Sequence, residues 1–179
     1  MKVLIRFVLF FTVGTLSILI AKEIQNKEIK RAESSEKLKM MPKFKYTPVS
    51  NIGINDSPVN KPTTIINYFN SHCSFCIYEI KEILECQHLF NKTQFLLVSD
   101  QPFDTLNKFS KINGIDSMSS ITIGQIDFMD FINHFGEVIP PTTFIYDSNN
   151  YFISKYYGQI RVMLMAEEIE KHYNKIEQQ

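Results

Sequence analysis

The stretch TTIINYFNSHCSFCIYEI, residues 63–80, decides the fold of this chain. Its opening TTIINYF is a β-branched and aromatic run of the kind that forms a buried strand. The segment IYEIKEIL, residues 77–84, overlaps the end of this stretch, and its apolar residues recur at the spacing of a helix. The sequence therefore predicts a strand that leads directly into a helix, with Cys73 and Cys76 at the junction.

Strands and helices alternate along the rest of the chain. Before the opening stretch, Phe44 to Val49 is predicted to be a short strand. After it we expect a strand from Thr93 to Ser99, helices from Phe103 to Ile112 and Asp127 to Phe135, a hairpin of TTFIYD and YFISKYYG, and a closing helix from Met163 to Ile176. This order predicts an α/β sandwich with a mixed sheet.

Composition limits the class of protein. The chain has 179 residues, of which 44% are hydrophobic and 21% charged, so we expect one buried core with attachments. Nineteen basic residues balance nineteen acidic ones, which leaves no net charge. Phosphate binding requires concentrated positive charge, so nucleic acid is not an expected partner.

The N-terminus has the layout of a targeting segment, with Lys2 and Arg6 ahead of an apolar run from Phe7 to Ala21. It is long enough to cross a bilayer and has no small-x-small cleavage pattern, so we predict a membrane anchor at residues 1–21. A cleaved signal is the alternative. A charged linker is expected at 22–41 and the folded domain at 42–179. The flanking charges leave the orientation open, so export of the domain is an inference.

The cysteine pair suggests redox chemistry. A cysteine at the start of a helix meets unpaired backbone N–H groups and the positive end of the helix dipole, and both stabilise thiolate over thiol. Cys73 is thus the predicted nucleophile. Cys76, one turn later, can attack a mixed disulfide formed at Cys73, which leaves a Cys73–Cys76 disulfide.

Two other interpretations of the pair stay open at this point. A CxxC pair is half of a zinc site, but the chain has no second cysteine pair and its four histidines are scattered. The cysteines could also be core residues without chemistry. Cys86, the third cysteine, lies too far along the helix to bridge the pair and is expected to be a core thiol.

The opening stretch together with FGEVIPPTTFIYDSNNYFISKYYGQI resembles the thioredoxin fold, and within it the membrane-anchored TlpA-like thiol-disulfide oxidoreductases. The resemblance implies a thioredoxin-like three-layer sandwich with a mixed central sheet, preceded by one N-terminal hydrophobic helix. It implies that Pro141 is a cis-proline packed against the cysteine pair, the alternative being an ordinary proline before a strand. It also implies that Ile115 to Phe135 is the family's inserted segment.

Glu79 stands where proteins similar to this one often carry a glutamate beside the active site. A carboxylate there can shuttle a proton and raise the pKa of Cys76. The alternative is an acidic residue favoured by the helix dipole. Asn67 occupies the position at which thioredoxins keep a buried aspartate, which leaves Glu79 the better proton acceptor.

Four further residues are expected to contact substrate: His72, Phe75, Pro140 and Pro141. Phe75 lies between the cysteines and, with Ser74, is expected to tune their redox potential. His72 replaces the usual aromatic before the first cysteine, where a protonated imidazole would favour the thiolate, although an exposed loop histidine is the alternative. Pro140 has no N–H with which to hold an extended substrate.

We therefore expect a membrane-tethered thiol-disulfide oxidoreductase on the periplasmic side of a bacterial inner membrane. It would act as a reductant on protein thiols and disulfides and be re-reduced by a membrane electron donor. No cofactor or metal is expected. Two alternatives are a peroxiredoxin-like peroxidase, disfavoured by Asn70 and Ile66 at its motif positions, and a copper-handling module using the pair with a histidine such as His134.

Overall fold

The computed structural model describes residues 22, 23, 25, 37–49, 63–90 and 92–178. A compact unit spans Leu38–Gln179. It begins ahead of the predicted boundary at residue 42, because Leu38 is buried and Met40 pairs with Tyr151. The predicted anchor at residues 1–21 lies outside the described residues. No helix within the described ranges has the length and apolar character needed to span a bilayer.

Six strands form one sheet in the described part of this unit, in the order β1-β4-β3-β2-β5-β6. The strands are β1 Thr47–Pro48, β2 Thr63–Tyr68, β3 Thr93–Ser99, β4 Ile121–Gln125, β5 Thr142–Tyr146 and β6 Phe152–Tyr157. Strands β2, β3 and β4 run parallel to one another, whereas β1, β5 and β6 each pair antiparallel with a neighbour. The mixed sheet and the β5–β6 hairpin are confirmed.

Four α-helices complete the described unit: α1 Ser74–Glu85, α2 Phe103–Ile112, α3 Phe128–Phe135 and α4 Val162–Glu177. The predicted bounds of α2 are confirmed. Asp127, predicted as the first residue of α3, is instead its N-cap, and its side chain accepts a hydrogen bond from the Asp130 N–H.

Helices cover both faces of the sheet, which gives the predicted three layers. On the α1 face, side chains of α1, α2 and α4 pack with strand residues such as Ile65 and Leu97 into one core. On the α3 face, Phe131 and Phe135 of α3 pack with the alternate strand residues, such as Ile66, into a second core. The alternation arises because successive residues of a strand point to opposite faces.

Strand β4 is a correction to the sequence interpretation. We assigned a helix to the segment Ile115 to Phe135 but no strand, yet β4 lies inside the sheet between β1 and β3. Its short sequence ITIGQ contains Gly124, which weakens the strand signal. A Cβ on Gly124 would lie 2.7 Å from Cδ2 of Tyr46, so the glycine permits close packing there. The strand predicted over Phe44 to Val49 is wrong in length, because only Thr47–Pro48 pair with β4.

The ends of several strands meet at one edge of the sheet. Strands β2, β3 and β4 all finish there because they are parallel, and antiparallel β5 starts there, since Tyr68 pairs with Thr142. Hydrogen bonds beyond the strand ends, from the Phe69 N–H to the Val98 carbonyl and from the Ile126 N–H to the Ser99 carbonyl, hold the edge together. Helix α1 begins at this edge, which brings the loop before β5 to the cysteine pair.

Candidate redox site

Cys73 is held at the start of α1 by a tight turn. After β2, the Cys73 N–H donates to the Asn70 carbonyl at 3.0 Å, and the His72 N–H donates to Asn70 Oδ1 at 2.8 Å. Cys73 is then the N-cap of α1, and its Sγ accepts a hydrogen bond from the Cys76 N–H at 3.4 Å. Its side chain is half-buried. The predicted placement of Cys73 at the helix start is confirmed, and one backbone N–H, that of Cys76, faces its sulfur.

Cys76 lies one turn further and is fully buried. Burial raises the pKa of its thiol to about 12, and the hydrogen bond with Cys73 and the nearby charge of Glu79 act in the same direction. All three cysteines are free thiols in this structure. The two members of the pair therefore differ in access, because Cys73 is half-buried and Cys76 is fully buried.

The loop before β5 reaches the pair. The peptide bond between Pro140 and Pro141 is cis, which confirms the prediction for Pro141. The Pro140 carbonyl oxygen lies 3.9 Å from Cys73 Sγ, and the buried Pro141 accepts a hydrogen bond from the Gly158 N–H at 2.8 Å. Because Pro140 has no N–H, the residue that faces Cys73 offers only an acceptor.

Glu79 lies inside the domain on the α1 face and is not exposed at all. Its Oε1 accepts hydrogen bonds from Asn67 Nδ2 at 2.7 Å and from Thr143 Oγ1 at 3.0 Å. Its Oε2 accepts one from the Ile160 N–H at 3.0 Å. Residues from three elements thus converge on one carboxyl group, one helical turn beyond Cys76.

The pKa of Glu79 is raised to about 7, because burial penalises the charged form. The three donated hydrogen bonds oppose this rise, and the charge of Glu82 adds to it. Glu79 lies in the second turn of α1, where the helix dipole would favour the charged form and lower the pKa, which is opposite to the direction of the shift. A carboxyl group that titrates near neutral pH beside a buried thiol can exchange protons with it, which the dipole interpretation does not provide.

His72 and Phe75 lie on the surface around the pair. The His72 Nδ1 lies 3.1 Å from Gln101 Nε2, while Gln101 Oε1 accepts from the Ser71 N–H at 2.7 Å. Since the second bond orients the amide, Nδ1 is the acceptor and the imidazole that makes this bond carries its proton on Nε2. Phe75 is 63% exposed, so its ring is free to contact another molecule.

Three contributors to the site were not predicted from the sequence. Thr143 could have been found, because it lies two residues after the cis-proline and alternates with Phe144, which points to the α3 face. Gln101 and the Ile160 N–H reach the site through tertiary packing, and nothing in their local sequence indicates it.

The remaining candidates lie away from the pair. Within the described ranges, no group of three or more His, Cys, Asp or Glu residues could hold a metal ion. His134, the histidine considered for copper, is on α3, on the opposite side of the sheet from Cys76, and contacts the Asp130 carbonyl at 2.8 Å. Cys86 is the half-buried C-cap residue of α1.

Neither the protein-family models nor the curated protein sequences contain a match to this chain. Solved structures do match it. The solution structure of a putative thioredoxin from Neisseria meningitidis superposes with a TM-score of 0.58 at 17% identity, covering 73% of this chain and 89% of that one. A thiol-disulfide isomerase from Corynebacterium glutamicum gives a TM-score of 0.61 at 9% identity, over 74% and 95% of the two chains.

StoA from Bacillus subtilis is also similar, with a TM-score of 0.50 at 16% identity over 62% of this chain and 84% of its own. At these identities the comparisons establish the fold. The chain has the thioredoxin fold, with a CxxC pair at the start of α1 and a cis-proline opposite it.

Proposed function

We propose that this chain is a thiol-disulfide oxidoreductase of the TlpA-like kind that exchanges the Cys73–Cys76 dithiol with disulfides of other proteins. The observation that carries the proposal is the asymmetry of the pair. Cys73 is half-buried at a helix N-terminus with its sulfur facing the cis-proline loop, and Cys76 is buried one helical turn before the buried Glu79. Similarity to proteins named thioredoxin and thiol-disulfide isomerase supports it.

The reduction of a substrate disulfide would proceed in two exchanges. The Cys73 thiolate attacks one substrate sulfur, a mixed disulfide forms, and the other substrate sulfur leaves as a thiolate. Cys76 then loses its proton to Glu79 and attacks Cys73 Sγ, which breaks the mixed disulfide and releases the second substrate sulfur. Two electrons pass to the substrate, and Cys73 and Cys76 are left as a disulfide.

The substrate surface would consist of Phe75, His72 and the Pro140–Pro141 loop. An exposed aromatic ring beside Cys73 contributes apolar contact area. The Pro140 carbonyl can accept one hydrogen bond from a substrate main chain, but no donor is available at that residue. Substrates should therefore be held more by side-chain contacts than by strand-like pairing.

We further propose that the N-terminal segment tethers the domain to the outer face of a bacterial inner membrane, where it acts as a reductant. Lys2, Arg6 and the apolar run that follows support this. In an oxidising compartment the pair would need a dithiol donor in the membrane to return two electrons after each cycle. The proposed substrates are the haem-attachment cysteines of cytochromes c or mis-oxidised proteins.

The location is tested by fractionation of cells that express the full chain. The protein should stay with membranes after carbonate washing, and protease added to spheroplasts should degrade the domain. A shortened soluble form would show that the segment is a cleaved signal. Protection of the domain in spheroplasts would contradict the orientation.

The chemistry is tested by trapping. In Cys76→Ser, Cys73 should attack substrate disulfides and stall as mixed disulfides that are visible on a non-reducing gel. In Cys73→Ser, no adduct should form through the buried Cys76. Cys86→Ser is the matched control and should retain the reduction of insulin disulfides that both other variants lose. Activity that survives without Cys73 would refute the proposed function.

A further inference from the structure

The hydrogen bonds at Glu79 distinguish its two carboxyl oxygens. Oε1 accepts two bonds, from Asn67 Nδ2 at 2.7 Å and from Thr143 Oγ1 at 3.0 Å. A carboxylate oxygen has two lone pairs in its plane, so Oε1 has no site left for a proton. Among the described residues Oε2 accepts a hydrogen bond only from the Ile160 N–H, at 3.0 Å, so these residues leave one lone pair of Oε2 open.

Asn67 organises this arrangement. Its Nδ2 also donates to Thr143 Oγ1 at 2.8 Å, so both amide protons are used and the Thr143 hydroxyl proton is directed at Glu79. Asn67 is fully buried, and its Oδ1 has no hydrogen-bond partner among the described residues. Burial of an amide oxygen without a hydrogen-bond partner costs free energy, so packing alone does not account for an asparagine at this position. The hydrogen bonds that its Nδ2 donates to Glu79 and Thr143 do account for it.

We propose that Asn67 is a positioning residue of the disulfide exchange: with Thr143 it fills both lone pairs of Glu79 Oε1 and leaves Oε2 as the oxygen that takes and returns the Cys76 proton. The inference rests on the proposed function. In the resolving step the Cys76 S–H bond breaks, the proton binds Oε2, and the sulfur keeps the electron pair with which it attacks Cys73 Sγ. When the disulfide is reduced again, Oε2 returns the proton to Cys76.

The surroundings of Glu79 allow its titration to be followed. The titratable groups that act on it or respond to it are Glu82 and the Cys76 thiol, both on α1. The groups that face it from β2, β5 and the loop between β6 and α4 are Asn67, Thr143 and the Ile160 N–H, and none of these carries a charge. A change at Asn67 should therefore act on Glu79 through hydrogen bonding.

The experiment follows the Glu79 carboxyl carbon by NMR in reduced protein labelled with ¹³C-glutamate, and assigns its signal by its loss in Glu79→Gln. In Asn67→Leu, removal of a donor to the ionised form should raise the titration midpoint by about one to two pH units. Thr143→Val should shift it in the same direction. The resolving step should slow at pH 7, and its pH profile should move to higher pH.

Asn113→Leu is the matched control, because Asn113 donates from Nδ2 to the Phe109 carbonyl at the end of α2. It should lose stability but keep the Glu79 midpoint. Should Asn67→Leu not fold, the isosteric Asn67→Asp places a second carboxyl against Oε1, and two carboxyl groups should then titrate in two separated steps.

An unchanged Glu79 midpoint in folded Asn67→Leu, or a single unshifted step in Asn67→Asp, would overturn the assignment of Asn67. Such a result would leave the proposed function standing as long as Cys76→Ser still traps substrates. Absence of trapping in Cys76→Ser would instead refute the exchange itself.

Discussion

The two faces of the sheet use the same strands for different purposes. On the α1 face, Asn67 and Thr143 bind the carboxyl group of Glu79. Their immediate neighbours in sequence, Ile66 and Phe144, point to the α3 face and pack in its core. Because side chains alternate along a strand, each pair of adjacent residues contributes one polar group to the redox site and one apolar group to the opposite core.

The α3 face is dominated by ring contacts. The Phe131 and Phe135 rings stack with centroids 4.4 Å apart, and Phe135 also lies 5.0 Å from Phe44 and 5.0 Å from Phe144. Such pairs stabilise a core beyond the area they bury. Both faces have a hydrophobic core, but only the core of the α1 face also encloses the carboxyl group of Glu79, whose burial costs free energy.

The largest expected effect on stability comes from a substitution in the aromatic core of the α3 face. Phe135→Ala should lower the free energy of unfolding by about 3–5 kcal/mol, because a fully buried ring is replaced by a cavity. Urea denaturation measures this. Since Phe135 lies on the α3 face, the pH profile of disulfide exchange in the folded variant should not change. A shifted profile would show that the faces are coupled.

The next largest effect is expected on the α1 face, at the buried carboxyl group of Glu79. The folded-state pKa of Glu79, about 7, is above its ordinary value of 4.5, so the folded state holds a proton that the unfolded state has released between these pH values. The free energy of unfolding should therefore fall as the pH rises from 4.5 to 7, by about 3 kcal/mol in total. In Glu79→Gln this decline should be absent.

Urea denaturation at pH 4.5 and pH 8 compares wild type with Glu79→Gln. Equal differences between the two pH values in both proteins would contradict the raised pKa of Glu79. Loss of the Glu79 charge should also lower the pKa of Cys76, which thiolate absorbance can follow, because that charge is one of the causes that raise it.

A smaller effect is expected at the rim of the α3 face. The Lys155 ammonium lies 4.8 Å from the Phe144 ring centroid and 4.4 Å from that of Tyr157. Lys155→Met should keep the aliphatic contact but lose the cation–π interaction and the hydrogen bonds from Nζ to the Phe135 and Glu137 carbonyls, at a cost of about 0.5–1 kcal/mol in denaturation experiments. A stabilised variant would show that these interactions of the ammonium group contribute nothing.

The smallest effect is expected at His72. Its side chain is exposed and bonded to Gln101, so His72→Ala should change the free energy of unfolding by no more than about 0.5 kcal/mol. The rate of the first exchange, measured from pH 5 to 8, tests the separate prediction that His72 contacts substrate. A rate equal to that of wild type would remove His72 from the substrate surface.

Much of the fold was predictable because the informative signals were local. The apolar runs of β2 and β3 and the bounds of α2 follow from residue type and spacing alone. Strand β4 was missed because ITIGQ is short and contains a glycine whose reason lies in a remote contact with Tyr46. Local sequence carries no information about such a contact.

The candidate site likewise has features that the sequence predicts and features that it does not. The positions of Cys73, Cys76 and Pro141 were predictable because motif and order fix them along the chain. The environment of Glu79 was not predictable. The Ile160 N–H that donates to it follows the β5–β6 hairpin, 81 residues later in the chain, and only folding brings the two together. The sequence identified the carboxyl group, and the structure provides the burial that sets its pKa.

Strand β1 affects whether copies of this protein associate through the edges of their sheets at high concentration. It is the outermost strand beyond β4, consists of only Thr47–Pro48, and both residues are exposed. A proline in an edge strand has no N–H to offer to an approaching chain, and a two-residue strand gives a neighbour little to align with. Strand β1 is therefore itself a poor template for edge-to-edge aggregation.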